Sequence, residues 1–308
     1  MILCCGEALI DMLPRQTEDG ALAFSPFPGG AVFNTAVALA RLGTSTGLFT
    51  GLSGDLFGTQ LEGVLRGNGV NADLAIRSDR PTTLAFVRLI EGQAEYAFYD
   101  ENTAGRMLNE DELPTELPGV QALFFGGISL AVEPCAAAYQ ALCLREAARL
   151  PVMLDPNVRP GFIADEARYR ARIDAMIAVA DIVKLSDEDL RWLEGSGEGL
   201  AELAGRIRAR GPAVVCITEG AKGVTAYHAG GQVFAPALKA EVVDTVGAGD
   251  TFNAGLMAHL SEVGALDKAA LRSLPKGVLT AALTLGNQAA AITVSRAGAN
   301  PPRRDEVS

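Results

Sequence analysis

The chain has 308 residues, 49% of them hydrophobic and 20% charged, which supplies apolar surface for one large core and excludes a disordered or low-complexity protein. Its 26 basic and 37 acidic residues give a formal net charge of −11, and the only notable basic cluster is Arg303-Arg304, which excludes nucleic acid as a partner. Five cysteines without a C-x-x-C pair, and two histidines (His228 and His259) with no cysteine at ligand spacing, exclude a disulfide framework and a structural zinc site.

The opening "MILCCGEALIDMLPR" is apolar over only a few residues. Acids follow at Glu7 and Asp11 and no basic segment precedes them, so it reads as a first buried strand rather than a leader. No apolar run is expected to approach the roughly 18 residues of a membrane span, so the expectation is a soluble, cytoplasmic protein without a membrane partner. The stretch from about 8 to 27 lacks a helical period. "PGGAVFNTAVALARLG" (Pro28–Gly43) then begins with two glycines, enters a helix around Asn34 and ends at a glycine suited to the position after a helix.

The stretch from about 83 to 100, "TLAFVRLIEGQAEYAFYD", reads as two strands around a turn at Glu91-Gly92-Gln93. Together with the 8–27 stretch it forms a small β-element inserted in a domain that spans 1–308. A sheet with an exposed apolar face needs cover, so this element is expected to close over a ligand crevice, pair with a second subunit as a homodimer, or do both.

Apolar runs at Ile2–Cys5, Ala122–Phe125, Val152–Leu154, Ile182–Leu185 and Ala213–Ile217 alternate with helical stretches such as Ala136–Leu150 and Leu200–Arg210. That alternation predicts an α/β fold: a three-layer α/β/α sandwich with a mostly parallel central sheet, plus the small β-sheet lid. "LDPNVRPG" (Leu154–Gly161) follows one strand, where open α/β sheets bind ligands. "KLSDEDL" (Lys184–Leu190) follows another and suits a helix N-cap with an acidic first turn. "CITEGAKGV" (Cys216–Val224) ends a third strand in a glycine-bounded turn.

"VVDTVGAGDTFNAG" (Val242–Gly255) carries the clearest chemistry. Phe252, Leu256 and Leu260 lie four apart on one helix face, so Gly247, Ala248 and Gly249 occupy that helix's N-terminus. Exposed N–H groups and the positive dipole end there favour an anion, and small residues let a phosphate approach the main chain. Asp250 would repel that phosphate unless it served as a base that takes a proton from a hydroxyl nucleophile, which is the arrangement phosphoryl transfer needs. An Asp capping a helix behind a glycine turn accounts for the same local letters. No P-loop, dinucleotide fingerprint or nucleophile elbow occurs in the chain. Residues after about Gly298, with two prolines and mixed charge, read as a frayed tail.

"DTVGAGDTF" (Asp244–Phe252) resembles the C-terminal signature of the ribokinase-like, pfkB-type carbohydrate kinases, and the resemblance extends from Gly6 to Gly298. It implies Asp250 as base, Gly247, Ala248 and Gly249 as anion hole, and Asp244 as organiser of the turn and a monovalent-cation site, such as one for K+. Gly29, Gly30 and Asn34 match the family's N-terminal sugar signature. Asp11 matches an acid that accepts from sugar hydroxyls, and Asn157 and Arg159 match residues directed into the active site. Lys184, Ser186 and Asp189 stand at the family's Asn-x-x-Glu motif, which handles Mg2+ and phosphates through water; Ser186 and Asp189 depart from its letters. Thr218, Gly220, Gly223 and Asn287 match positions against ATP.

The "GEALID" opening, the "DPNVR" run and the serine form of the magnesium motif are most similar to bacterial fructokinases. The resemblance therefore implies an ATP-dependent transferase acting on D-fructose. Kinases of 2-keto-3-deoxygluconate, ribose or nucleosides remain alternatives, as does a non-catalytic sugar-binding regulator. Asp100 and Glu101, at the end of the lid, are expected to repel a sugar acid and so favour a neutral hexose.

Overall fold

A computed structural model of the chain describes residues 1–90 and 93–307. Strand β1 (Ile2–Cys5) leads into β2 (Leu9–Gln16) and β3 (Leu22–Gly29), then helix α1 (Ala31–Arg41) and β4 (Thr46–Phe49). A minor parallel pair, β5 (Gly51–Ser53) and β6 (Ile76–Ser78), brackets α2 (Leu56–Gly67), whose N-cap Asp55 accepts from Gly58 N–H at 2.7 Å. After β7 (Leu84–Ile90) and β8 (Gln93–Tyr99), the chain alternates β9 (Ala122–Gly126), α3 (Cys135–Glu146), β10 (Val152–Asp155), α4 (Glu166–Val179) and β11 (Ile182–Ser186). It continues through α5 (Asp187–Glu194), α6 (Leu200–Ala209), β12 (Val214–Thr218), β13 (Gly223–His228) and β14 (Gly231–Pro236), and closes with α7 (Ala248–Glu262), α8 (Lys268–Arg272) and α9 (Lys276–Val294).

The central sheet has the order β14-β13-β12-β11-β10-β9-β1-β4, parallel from β4 to β12 and antiparallel at the β13–β14 edge. Its middle strands are apolar throughout because both faces are covered, and successive residues feed opposite layers. On β1, Ile2 and Cys4 join the core beneath α1, α2, α7 and α9, while Leu3 and Cys5 join the core beneath α3, α4, α5 and α6. All five cysteines are free and buried.

A separate four-stranded sheet, β3-β2-β7-β8, forms the lid, with β2 antiparallel to β3 and parallel to β7. The turn expected at Glu91-Gly92-Gln93 includes two positions, 91 and 92, that lie outside the described residues. Phe24, Phe86 and Tyr99 make edge-to-face contacts at centroid distances of 4.9 and 5.3 Å on one face of the lid, where Tyr99 is 60% exposed.

Two expectations need correction. Helix α9 spans 19 residues at a hydropathy of 1.3, long and apolar enough to cross a membrane by length and composition. It is nevertheless a core helix here: Leu279, Ala282, Leu283 and Ala289 are buried, and it packs along α7 and β14. The C-terminal segment is packed rather than frayed. Pro301, Pro302 and Val307 are buried, and Arg41 on α1 donates to Asn300 Oδ1 at 2.8 Å and to the Pro301 carbonyl at 2.7 Å.

Candidate active site

A cleft of about 260 Å³ opens beyond the carboxyl ends of β1, β9 and β10, the side on which parallel α/β sheets present ligand-binding loops. Glu7, Gly127, Asn157 and Arg159 reach it from the segments just after those strands. Lys184 contributes from β11, Asn34 from α1, Gly247, Gly249 and Asp250 from the start of α7, and Asp11 and Phe98 from the lid.

Gly247 is the N-cap of α7, with φ of 78°, and a Cβ there would lie 2.8 Å from the Ala299 Cβ. Left-handed backbone and close approach thus both demand glycine. The first bond of the helix runs from Thr251 N–H to the Gly247 carbonyl (2.9 Å), so the N–H groups of Gly249 and Asp250 precede the intrahelical ladder at its positive end. Asp244 braces the turn: one carboxylate oxygen accepts from Val246 N–H at 3.0 Å and the other from Gly298 N–H at 2.9 Å.

Asp250 is buried, and its carboxylate accepts from Asn34 Nδ2 at 2.9 Å while Thr35 Oγ1 donates to its backbone carbonyl. Burial pushes its carboxyl up to about 7, with Asn34 and Lys184 acting against the rise and Asp155 and Glu7 adding to it. An acid tuned near neutrality is suited to general-base work.

On the lid side, burial and then the charge of Glu7 push the Asp11 carboxyl up to about 7 as well. A Cβ on Gly29 would stand 2.1 Å from Asp11 Oδ2, so the glycine is what leaves room for this carboxylate. Gly30, the N-cap of α1, lines the cleft over Glu7. Asn157 holds a left-handed backbone (φ 45°) with its N–H on Asp155 Oδ1 at 3.2 Å, and Arg159 Nη1 folds back to the Val158 carbonyl at 3.1 Å.

Lys184 is buried, with Nζ 3.0 Å from Asp155 Oδ2 and 3.2 Å from where a Cβ on Gly249 would begin. Ser186 and Asp189 form a capping box at the start of α5: Ser186 Oγ accepts from Asp189 N–H at 2.9 Å and the Asp189 carboxylate faces the Ser186 N–H. Asp189 also accepts from Val158 N–H at 3.2 Å. Among the described residues no group of three His, Cys, Asp or Glu side chains gathers as a metal site.

Thr218, Gly220, Gly223 and Asn287 stand outside the cleft. Thr218 Oγ1 donates to the Leu185 carbonyl (3.4 Å), Gly220 and Gly223 bound the short turn between β12 and β13, and Asn287 Nδ2 donates to the carbonyls of Ala235 (3.1 Å) and Pro236 (2.9 Å). Next to Asn287, a concavity of about 450 Å³ lies between α9 and the segment after β14, lined by Leu238, Lys239, Gln288 and Ile292.

Asp100 does not face the cleft, which corrects its expected part in repelling a sugar acid. It is buried at the end of β8, where Oδ1 accepts from Thr83 Oγ1 at 2.7 Å and Thr103 Oγ1 at 3.0 Å, and Glu101 is exposed outside the cleft. The acids that do line it are Glu7, Asp11 and Asp250, together with the cations Arg159 and Lys184. Glu7, which lines the cleft, and Asp155 and Asn253, which stand behind it, are residues that sequence reasoning passed over; Glu7 accepts from the N–H groups of Val32 and Ser129, 25 and 122 positions away, and Asn253 donates to Asp155 across 98 positions.

A family model for the pfkB family carbohydrate kinases matches residues 1–306. The chain is 50% identical over 283 residues to a fructokinase of Rhizobium leguminosarum bv. trifolii, covering 89% of this chain and 86% of that one. Among solved structures, a fructokinase with bound ATP from Xylella fastidiosa superposes with a TM-score of 0.90 at 28% identity, over 99% of this chain and 96% of that one. An aminoimidazole riboside kinase from Salmonella enterica, complexed with aminoimidazole riboside and an ATP analogue, gives a TM-score of 0.82 at 26% identity over 97% and 94%.

Proposed function

The chain belongs to the pfkB family of carbohydrate kinases, and from that premise we propose that it is an ATP-dependent fructokinase converting D-fructose to fructose 6-phosphate. The observation that carries the reading is the pairing of the Asp250 carboxylate with the Gly247–Gly249 helix start inside a cleft of monosaccharide size. Asp250 takes the proton of the 6-hydroxyl as its oxygen bonds to the γ-phosphorus. The bond from that phosphorus to the bridging oxygen breaks, and ADP leaves with the electron pair. The N–H groups of Gly249 and Asp250 offset negative charge on the phosphoryl oxygens in transit.

Asp11, with Gly29, Gly30, Asn34, Asn157 and Arg159 around it, orients the sugar, since a carboxylate offers several lone pairs to neighbouring hydroxyls. The concavity beside Asn287 takes the adenine, reached past Thr218 and the Gly220–Gly223 turn.

Mg2+ bound with the ATP phosphates would offset their charge, and Asp189 would hold it through water, since the carboxylates near the phosphate path already accept from backbone N–H groups or Lys184. A monovalent cation would lie beside Asp244, whose two carboxylate oxygens already accept from the Val246 and Gly298 N–H groups, and the exposed aromatic face of the lid would meet its copy in a homodimer.

ADP release measured against fructose, ribose, 2-keto-3-deoxygluconate and adenosine tests the assignment. Release dependent on fructose, with kcat/KM at least tenfold above the others, is the expected result. Equal or higher turnover on another member of the panel would replace fructose, and binding without release would make the protein a sugar-binding regulator.

A further inference from the structure

Asp155, the last residue of β10, collects three donors from three parts of the chain. Lys184 Nζ from β11 reaches Oδ2 at 3.0 Å, Asn253 Nδ2 from α7 reaches the same oxygen at 2.7 Å, and Asn157 N–H from its own loop reaches Oδ1 at 3.2 Å. All three of Asp155, Lys184 and Asn253 are buried, and the Oδ1 of Asn253 has no partner among the described residues. An interior amide left half satisfied is unusual, and here its bonded half serves Asp155 alone.

The ammonium held in this way does not sit in a remote core. Lys184 lines the catalytic cleft, and its Nζ lies 3.2 Å from where any side chain at Gly249 would start, directly beneath the glycine turn. Asp155 and Asn253 do not line the cleft, so they act from behind it, through Lys184, through the frame of α7 and, for Asp155, through its charge on Asp250.

We infer that Asp155 is a positioning residue for phosphoryl transfer: with Asn253 as its anchor on α7, it fixes the Lys184 ammonium under Gly249 so that a cation faces the phosphoryl group as it passes between nucleotide and sugar. This rests on the kinase reading. A cation held in place before the reaction is worth more than a mobile one, because no reorganisation is needed as charge shifts between the phosphoryl oxygens and the leaving ADP. The compact ammonium of lysine suits a point contact with a phosphoryl oxygen. Without Asp155 the ammonium is free to turn toward Asp189 or Asp250, whose charges also act on it.

The test compares the full-length protein with Asp155→Asn, Asp155→Glu and Asn253→Ala. Three readouts are needed: kcat, KM for fructose, and the affinity for ADP with and without aluminium fluoride in the presence of Mg2+ and fructose. Asp155→Asn is expected to lower kcat roughly 10- to 100-fold, to leave KM for fructose within about threefold, and to abolish the tightening of ADP by aluminium fluoride while ADP alone binds as before. Asp155→Glu recovers part of kcat. Asn253→Ala, which retains both charges and carries the test if Asp155→Asn does not fold, moves the same readouts in the same direction by a smaller factor. A lowered melting temperature with unchanged kcat and unchanged aluminium fluoride response would make the cluster merely structural and overturn the inference. A wild-type protein that releases no ADP on any sugar would instead remove the kinase reading, and this inference with it.

Discussion

The side-chain amide of Asn34 on α1 donates to the Asp250 carboxylate on α7 across 2.9 Å, so the two glycine-led helices that build the cleft meet at the catalytic base. That bond favours the ionised carboxylate and holds its proton affinity below what burial alone would give. Asn34→Ala should therefore lower kcat about 10-fold at pH 7, partly recovered at higher pH, with the acidic limb of the kcat profile moved upward. If Asn34 acts only on the sugar, KM rises and the limb does not move. A pH series on the variant and the wild type separates the two.

Asp11 and Asp250 both have carboxyls pushed up to about 7, well above the ordinary carboxylate range. The folded protein keeps protons that the unfolded chain releases from about pH 4 upward, so these two groups make stability fall as pH rises toward 7 and contribute no further slope above it. Activity should rise over the same interval, as the base ionises. Melting temperatures of the ligand-free protein at pH 5 and pH 8 should therefore differ less in Asp250→Asn than in wild type. Equal differences in the two proteins would contradict the burial-driven shift.

Two glycines should prove irreplaceable for different reasons. At Gly29 a Cβ would stand 2.1 Å from Asp11 Oδ2, so Gly29→Ala should displace that carboxylate and raise KM for fructose about tenfold or more with less effect on stability. At Gly247 the φ of 78° and the Ala299 Cβ 2.8 Å away both oppose a side chain, so Gly247→Ala should cost about 1–3 kcal/mol of stability and lower kcat. Melting curves and steady-state kinetics on both variants check the contrast.

The C-terminal segment braces the same turn: Ala299 lies under Gly247, Gly298 N–H is on Asp244, and Arg41 holds Asn300 and Pro301. Truncation after Arg296 should abolish fructose-dependent ADP release even where the remainder still folds by circular dichroism. Retained kcat in a folded truncation would show that Asp244 and Gly247 keep their places unaided.

The central strands were legible because continuous apolar runs such as Ile2–Cys5 and Ala213–Ile217 have no other way to be buried on both faces. The anion turn was legible because Gly247, Gly249 and Asp250 are adjacent in the chain and their backbone demands are local. The C-terminal segment was misread because its prolines and charges resemble a loose end, and its fixing partner, Arg41, lies about 260 positions earlier. Asp100 was misread for a related reason: an acid next to exposed lid residues reads as a surface charge until Thr83 and Thr103 supply it with donors. The Ser186–Asp189 letters fit a metal motif and a helix cap alike, and the capping geometry is what the fold builds from them. Glu7 and Asp155 lie inside the GEALID and DPNVR runs, but their roles stayed hidden because the partners Ser129, Lys184 and Asn253 stand on other elements.

The most direct test of the account is fructose-dependent ADP release by Asp250→Asn, measured alongside equilibrium binding of fructose to the same variant. The expected result is a kcat roughly 10²- to 10⁴-fold below wild type with fructose affinity within a few-fold. Turnover close to wild type in that variant would mean that another group removes the hydroxyl proton, and that the carboxylate at the head of α7 is not the base.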